Sequence, residues 1–164
     1  MIALEADEQH GYAQDKSQPQ WEAEVIDPVS KFVVSHVQGP RDETLIRRLL
    51  EDAAQRLANR HRLVLFTDGE VSYASRFPEI FGQAYRPSRQ GDRGRFSEVR
   101  YRIPQTLAHV QIVKHREGQR VVAVDIRYAH GSQRCVQQVL DQLGYTTPNT
   151  SAHERPSGAP LAGL

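Results

Sequence analysis

Two acidic residues in this chain, Asp7 and Asp68, have the sequence setting that carboxylate chemistry requires. Asp68 directly follows Leu63 to Thr67, five consecutive apolar or β-branched residues that are typical of a strand buried on both faces of a sheet. Gly69 then lets the chain turn sharply away. A carboxylate at this point lies at the rim of the sheet, where open α/β sheets bind their ligands. The same residues also fit an ordinary strand end followed by an Asp-Gly turn.

The first aspartate, Asp7, lies near the middle of a predicted strand that runs from about Ile2 to Ala13. Two further short strands are predicted at Trp21 to Ile26 and at Phe32 to Val37. Between them, Asp27 followed by proline has the favoured chemistry of a type I turn. Three short strands joined this tightly are expected to form an antiparallel meander.

A helix is predicted between the third strand and the strand that ends at Asp68. Its apolar stripe consists of Leu45, Ile46, Leu49, Leu50, Ala53, Ala54 and Leu57. A strand that follows a crossover helix normally runs parallel to a neighbour in the same sheet. If that neighbour is the first strand, the strand spacing of about 4.8 Å brings Asp7 and Asp68 close enough to share a metal ion.

The segment from Tyr85 to Arg102 is rich in arginine and carries aromatic residues between the positive charges. The arginines are Arg86, Arg89, Arg93, Arg95, Arg100 and Arg102. Basic residues interleaved with aromatics on a glycine-containing backbone suit a mobile loop that contacts phosphates. A solvated loop with no partner explains the same composition equally well.

The rest of the chain predicts a hairpin, a helix and a short tail. The hairpin joins Val110 to Lys114 and Arg120 to Tyr128 around a turn at Glu117-Gly118, and Asp125 is expected to be a solvated strand residue. A helix is predicted from the N-cap Ser132 to Gly144. Beyond it, Ser151 and Glu154 have capping-box spacing, which predicts the start of a helix. Pro156, Gly158 and Pro160 follow directly, so this helix cannot continue far.

Composition limits the possible classes of protein. A chain of 164 residues is long enough for one domain with a core. It contains no long apolar run, so we expect a soluble, cytoplasmic protein that does not bind membranes. The single cysteine, Cys135, excludes an internal disulfide and a cysteine-based zinc site, and the histidines lack the paired spacing of a metal site. The net charge of +1 says little about partners, so any surface that binds nucleic acid must be a local basic patch.

Three blocks of residues, in order along the chain, resemble the motif blocks of bacterial insertion-sequence transposases, in the branch typified by insertion sequence one. The first block is Leu4 to Tyr12, which reads LEADEQHGY. The second is Thr67-Asp68-Gly69 with Tyr73 after it, and the third is Asn149 to Arg155, with the pattern NTS-x-x-ER. The hairpin also resembles a segment found in relatives of that branch. The resemblance covers the chain from about Ile2 to Arg155.

The resemblance implies a ribonuclease H-like core: a mixed α/β sheet whose first three strands are antiparallel and whose fourth is parallel to the first, flanked by helices. Residues 1–147 would form this core, with the basic loop and hairpin of residues 85–128 as an insertion. It also implies a catalytic triad of Asp7, Asp68 and Glu154 that holds two Mg²⁺ or Mn²⁺ ions, Asp7 bridging them. Such enzymes cleave DNA at the ends of a mobile element and join the freed 3′ hydroxyl to target DNA. The expected partners are therefore DNA and, as a homo-oligomer, further copies of this chain.

The chain departs from the family pattern at its end, where a long helix carrying the third carboxylate is replaced by Pro156 to Leu164. Residues 148–164 are therefore expected to be a truncated tail. This departure keeps a second hypothesis open, in which the chain is a non-catalytic transposase remnant with at most weak DNA binding through Arg86 to Arg102. A third hypothesis is a ribonuclease H-like nuclease with another substrate.

Overall fold

Segments rich in β-branched residues form most of a mixed six-stranded sheet, and the amphipathic segments between them form helices on its two faces. The structure is a computed structural model that describes residues 1–12, 19–88 and 97–148. The strands of the main sheet are β1 (Ile2–Tyr12), β2 (Pro19–Ile26), β3 (Val33–Gly39), β4 (Leu63–Thr67), β7 (Leu107–Glu117) and β8 (Arg120–His130). The other elements are α1 (Glu43–Arg56), α2 (Val71–Phe81), α3 (Gln133–Leu143) and the two-stranded sheet of β5 (Gln83–Tyr85) and β6 (Arg100–Arg102).

The strand order of the main sheet is β3-β2-β1-β4-β7-β8. The first three strands are antiparallel neighbours, as the short connections predict. β4 pairs parallel to β1, and β7 pairs parallel to β4. The predicted meander and the parallel pairing of the first and fourth strands are therefore confirmed. β4 lies at the centre and all five of its residues are buried, as its continuous apolar run indicates.

Each face of the sheet packs against helices and encloses its own core. Leu4 and Leu65 point toward α1 and α2, where they join the larger cluster with Leu49. Val64 and Val136 belong to the smaller cluster on the opposite face, under α3. The alternation along β1 and β4 therefore assigns successive residues to opposite faces. None of the helices in the described residues combines the length and the apolar character needed to cross a membrane.

The first and third helices begin and end where the sequence predicts. The Asp42 carboxylate accepts a hydrogen bond from the Leu45 N–H at 2.9 Å at the start of α1. The Ser132 hydroxyl oxygen accepts one from the Cys135 N–H at 3.3 Å at the start of α3. α3 ends at Gly144, whose φ of 72° lies in the left-handed region that favours glycine.

The second helix is longer than its sequence indicates, because Ser72 to Phe77 predict only a short turn of helix before Pro78. α2 instead runs to Phe81 with Pro78 inside it. A proline lacks the N–H that would bond to the carbonyl four residues earlier, here that of Ala74. The His130 Nε2 lies 2.7 Å from that carbonyl oxygen and satisfies it from a neighbouring strand. The helix continues because a tertiary contact replaces the missing bond, which no local rule could predict.

We expect the His130→Phe variant to lose about 1 kcal/mol of unfolding free energy, because the partly buried Ala74 carbonyl loses its donor while the ring stacking on Phe77 is kept. Adding Pro78→Ala should recover much of this loss, since alanine supplies the backbone N–H. Chemical denaturation of the single and double variants measures both values. A double variant no more stable than His130→Phe would contradict this account of α2.

The hairpin forms as predicted, but its first strand is a member of the main sheet through pairing with β4. The insertion expected at residues 85–128 therefore contributes two of the six sheet strands. The basic segment begins and ends in the β5–β6 ribbon, where the Arg102 guanidinium lies 5.3 Å from the Tyr85 ring centre. Residues 89–96, with Arg89, Arg93 and Arg95, lie outside the described residues.

Candidate active site

The parallel pairing of β1 and β4 brings Asp7 and Asp68 to the same level of the sheet. The last paired residues are Glu5 of β1 and Phe66 of β4. Asp7 comes two residues after Glu5, and Asp68 comes two residues after Phe66. The negative charge of Asp7 helps to raise the pKa of Asp68, so the two carboxylates lie near enough to repel each other. The structure therefore brings together the two aspartates that the sequence predicts to be neighbours.

Backbone donors hold one oxygen of each aspartate. The Asp68 Oδ1 accepts a hydrogen bond from the Glu70 N–H at 3.0 Å, in the turn that leads into α2. The Asp7 Oδ1 accepts one from the Glu8 N–H at 2.9 Å. Both carboxylates are partly buried. These bonds limit the rotation of the side chains, which is a requirement for carboxylates that act as ligands in a fixed geometry.

Burial is the largest cause of the raised pKa of Asp68, and repulsion from Asp7 and Glu70 adds to it. The Glu70 N–H and the Arg41 guanidinium act in the opposite direction. Desolvation and like charges both disfavour the ionised carboxylate. The site therefore concentrates negative charge in a partly dry environment, and a cation bound there would relieve the repulsion.

A third carboxylate, Glu8, lies beside the aspartates and was not predicted as a site residue. Its side chain is only 2% exposed, and its Oε2 lies 3.2 Å from the Arg41 Nε. The Arg41 guanidinium also lies 4.3 Å from the ring centre of Trp21. Burial and the charge of Asp68 raise the pKa of Glu8, whereas Arg41 lowers it. The sequence gives no local signal for Glu8, because successive residues of a strand point to opposite faces and its partner Arg41 is distant in the chain.

Tyr73 closes the site from the side of α2. The ring is fully buried, and burial raises the pKa of its hydroxyl well above the usual value, with added repulsion from Glu8, Asp68 and Asp7. The Tyr73 hydroxyl and the Glu8 Oε1 are both buried without a well-oriented hydrogen bond in the described part of the chain. Tyr73 therefore stays protonated and presents its hydroxyl to the carboxylates.

A cleft of about 220 Å³ opens beside these residues. Its main lining residues are Glu8, Arg41, Asp42, Glu43, Glu70 and Ser72. A larger cleft of about 470 Å³ is mainly apolar and lies between Ile2, Phe32 and Leu57, at the other end of β1. The polar cleft is lined by Glu8 and Glu70, which are close to the aspartates in sequence, but Asp7 and Asp68 do not line it.

A buried histidine, which sequence reasoning missed, supports the backbone at Asp68. The Thr67 hydroxyl donates to the Asp68 carbonyl oxygen at 2.9 Å and lies 3.0 Å from the His109 Nε2. Burial lowers the pKa of His109 to about 3, so the ring is neutral near pH 7 and can donate from Nε2 to the hydroxyl. The only hint in the sequence is a histidine within the apolar start of β7.

The other predicted site residues do not join this cluster in the described structure. Glu154 lies outside the described residues. Within those residues, no group of three or more His, Cys, Asp or Glu side chains is arranged to hold a metal ion. Arg86, Arg100 and Arg102 lie in or beside the β5–β6 ribbon, beyond the far end of α2. A helix of this length separates them from Asp68 by roughly 16 Å.

The raised pKa of Asp68 predicts a specific dependence of stability on pH. The folded chain binds this proton more tightly than the unfolded chain, so the stabilisation is complete below the usual aspartate pKa. It is lost as the pH rises through the folded value. Without divalent cations, the unfolding free energy of the wild type should decline as Asp68 ionises with rising pH. The Asp68→Asn variant should show a smaller decline, because it lacks this ionisation.

Asp52 offers a control of opposite sign, because hydrogen bonds from Arg56 and Ser35 lower its pKa. Its contribution is present above the usual aspartate pKa and is lost as the pH falls, so Asp52→Asn should reduce stability mainly near neutral pH. Urea unfolding between about pH 3 and 7 measures both variants. Parallel pH profiles for the two variants would contradict the assignment.

Comparison with known proteins identifies no relative of this chain: no protein family, no curated protein and no solved structure matches it.

Proposed function

We propose that this chain is the catalytic core of a DNA transposase with a ribonuclease H-like sheet. In this proposal it cleaves phosphodiester bonds of DNA with a divalent cation and joins the freed 3′ hydroxyl to target DNA. The observation that carries the proposal is the placement of Asp7 and Asp68 on adjacent parallel strands, close enough for the charge of one to raise the pKa of the other.

The donor chemistry of the site fits a hard cation. Asp7 and Asp68 supply carboxylate oxygens, which Mg²⁺ and Mn²⁺ prefer as ligands. In the proposal these two residues hold the ions, and Glu154 supplies the third carboxylate. Bound there, the ions would polarise the phosphoryl oxygens and stabilise the charge that develops during cleavage.

The chain's own residues would orient and support these ligands. The N–H groups of Glu70 and Glu8 fix one oxygen of each aspartate. The His109–Thr67 contact fixes the backbone from which Asp68 projects. Arg41 pairs with Glu8, so the positive charge nearest the aspartates is already partly neutralised. This arrangement leaves net negative charge where a cation is needed.

The arginines support DNA binding by their charge and exposure. Arg100 and Arg102 are exposed on β6, and exposed Tyr101 lies between them. Arginine and aromatic side chains together suit contacts with phosphates and bases. In the proposal this ribbon binds DNA at one end of α2, while the carboxylates act at the other end.

Nicking of supercoiled plasmid by the full chain tests the proposal directly. We expect cleavage that requires Mg²⁺ or Mn²⁺, and calorimetric binding of Mg²⁺ that is lost in the Asp7→Asn variant. An exposed acid away from both the cluster and β8, in the variant Glu51→Gln, provides the matched control and should leave both properties unchanged. Cleavage that proceeds fully in excess chelator would contradict the cation-dependent mechanism.

The alternative is a non-catalytic transposase remnant that binds DNA weakly. It is favoured by the lack of a three-residue metal group within the described residues. The same experiment separates the two, because a remnant would show neither Mg²⁺ binding nor nicking but would still bind DNA. Preference for an RNA–DNA hybrid over duplex DNA would instead indicate a ribonuclease H-like nuclease.

A further inference from the structure

The last strand of the main sheet, β8, lies at the edge of the sheet, and several of its large apolar side chains are exposed. β8 pairs with β7 on one side and ends the sheet, and no described strand pairs with its other side. The pairing of β8 with β7 has register shifts at Val122 and at Ala129, and the strand is regular between them. In this regular part Val124, Ile126 and Tyr128 lie on one face and are 49%, 36% and 42% exposed. A long edge strand with exposed β-branched residues is a template for pairing with another chain.

The charges of β8 are complementary to those of a second copy in one particular register. Two antiparallel copies related by a two-fold axis at Ile126 place Asp125 opposite the Arg127 of the other copy, and the reverse pair forms as well. Val124 then lies opposite Tyr128, and the two Ile126 side chains meet on the axis. Each opposite pair combines residues that interact favourably across strands.

The neighbouring registers are less favourable. An axis at Asp125 would place two aspartates directly opposite each other, and an axis at Arg127 would do the same with two arginines. An axis at Val124 would leave both charges opposite apolar residues, Ala123 and Val121. Within the described residues, Asp125 contacts the His115 Nε2 at 2.8 Å on its own hairpin, and Arg127 makes no ion pair. Arg127 is therefore available for a carboxylate from outside its own copy.

We propose that β8 is a dimerisation strand, which pairs with β8 of a second copy in antiparallel register about Ile126 and joins the two main sheets into one. The interface uses residues 124–128 of each copy, between the two register shifts of β8, and none of the carboxylates at the candidate active site. The dimer proposal can therefore be tested independently of the proposed catalytic function.

Sedimentation velocity of the full chain tests the proposal by charge reversal. We expect a monomer–dimer equilibrium that Asp125→Arg weakens about tenfold or more, because two attractive pairs become repulsive. The double variant Asp125→Arg with Arg127→Asp should restore the dissociation constant to within about threefold. His115→Gln is the control for the lost contact within the hairpin, and it should leave the dimer unchanged.

Cysteine cross-linking tests the register. In antiparallel pairing, Ile126→Cys places two Cα atoms about 4.5–5.5 Å apart on the axis, which is within disulfide range. Val122→Cys places its two copies roughly 27 Å apart. Mild oxidation should therefore yield a covalent dimer from Ile126→Cys and not from Val122→Cys or from the wild type, whose Cys135 is buried.

Three results would overturn the proposal: a monomer at all concentrations, a dimer that the Asp125→Arg change does not affect, or equal cross-linking at both cysteines. Residues 149–164 are the other possible occupant of this edge. In that case the full chain would be monomeric and a chain ending at residue 148 would dimerise, which would also overturn the proposal.

Discussion

The Asp68→Asn variant is expected to lose cation-dependent DNA cleavage by about 10³-fold or more, because a metal ligand is lost where several kcal/mol of transition-state stabilisation depend on it. Asparagine keeps the size of the side chain and can still accept the Glu70 N–H bond at Oδ1. It removes only the charge. Nicking rates at saturating Mg²⁺, compared with those of wild type and Glu51→Gln, measure the effect.

Loss of activity in this variant should not come from unfolding. Burial and repulsion raise the pKa of Asp68, so removing its charge at neutral pH relieves an unfavourable interaction in the cation-free chain. We therefore expect Asp68→Asn to be at least as stable as wild type without Mg²⁺ and to gain less stability than wild type when Mg²⁺ is added. An active Asp68→Asn variant would refute a metal-ligand role for this residue.

The Phe77→Ala variant is expected to lose about 3–5 kcal/mol of unfolding free energy. Phe77 is fully buried in α2, and its ring centre lies 5.1 Å from that of His109 and 5.2 Å from that of Phe81. Removing the ring leaves a cavity between the helix and the sheet. Chemical denaturation measures the loss.

The matched control for Phe77→Ala is Val71→Ala at the start of the same helix, where the side chain is 75% exposed. This change should alter the unfolding free energy by about 0.5 kcal/mol or less. Because Phe77 packs on the ring that supports Thr67, the Phe77→Ala variant also tests whether the site depends on that packing. Equal losses for the two variants would contradict the position of α2.

Local patterns predicted much of the fold because each one records a local physical requirement. The run Leu63 to Thr67 indicated a strand buried on both faces, and β4 is fully buried. The apolar stripes of α1 and α3 predicted both helices, and Ser132 was also predicted as the cap of α3. The crossover rule then predicted parallel pairing of β1 and β4, which placed Asp7 beside Asp68.

The remaining features depend on contacts between residues that are distant in the chain. Pro78 sits within α2 because His130, from another strand, supplies the donor that proline lacks. Glu8 belongs to the carboxylate cluster because Arg41 and Tyr73 pack around it, and neither partner is near it in sequence. Patterns of period 2 or 3.6 carry no information about such contacts.

By itself, the sequence determined the strands of the main sheet, the first and third helices, their order and the pair of aspartates, because burial periodicity and capping act over a few residues. Only the tertiary structure decided that the hairpin continues the main sheet through β7 and that His109 lies under the backbone of Asp68. These outcomes depend on which strand edges and ring faces meet when the chain closes. That is set by the packing of the whole domain rather than by any one segment.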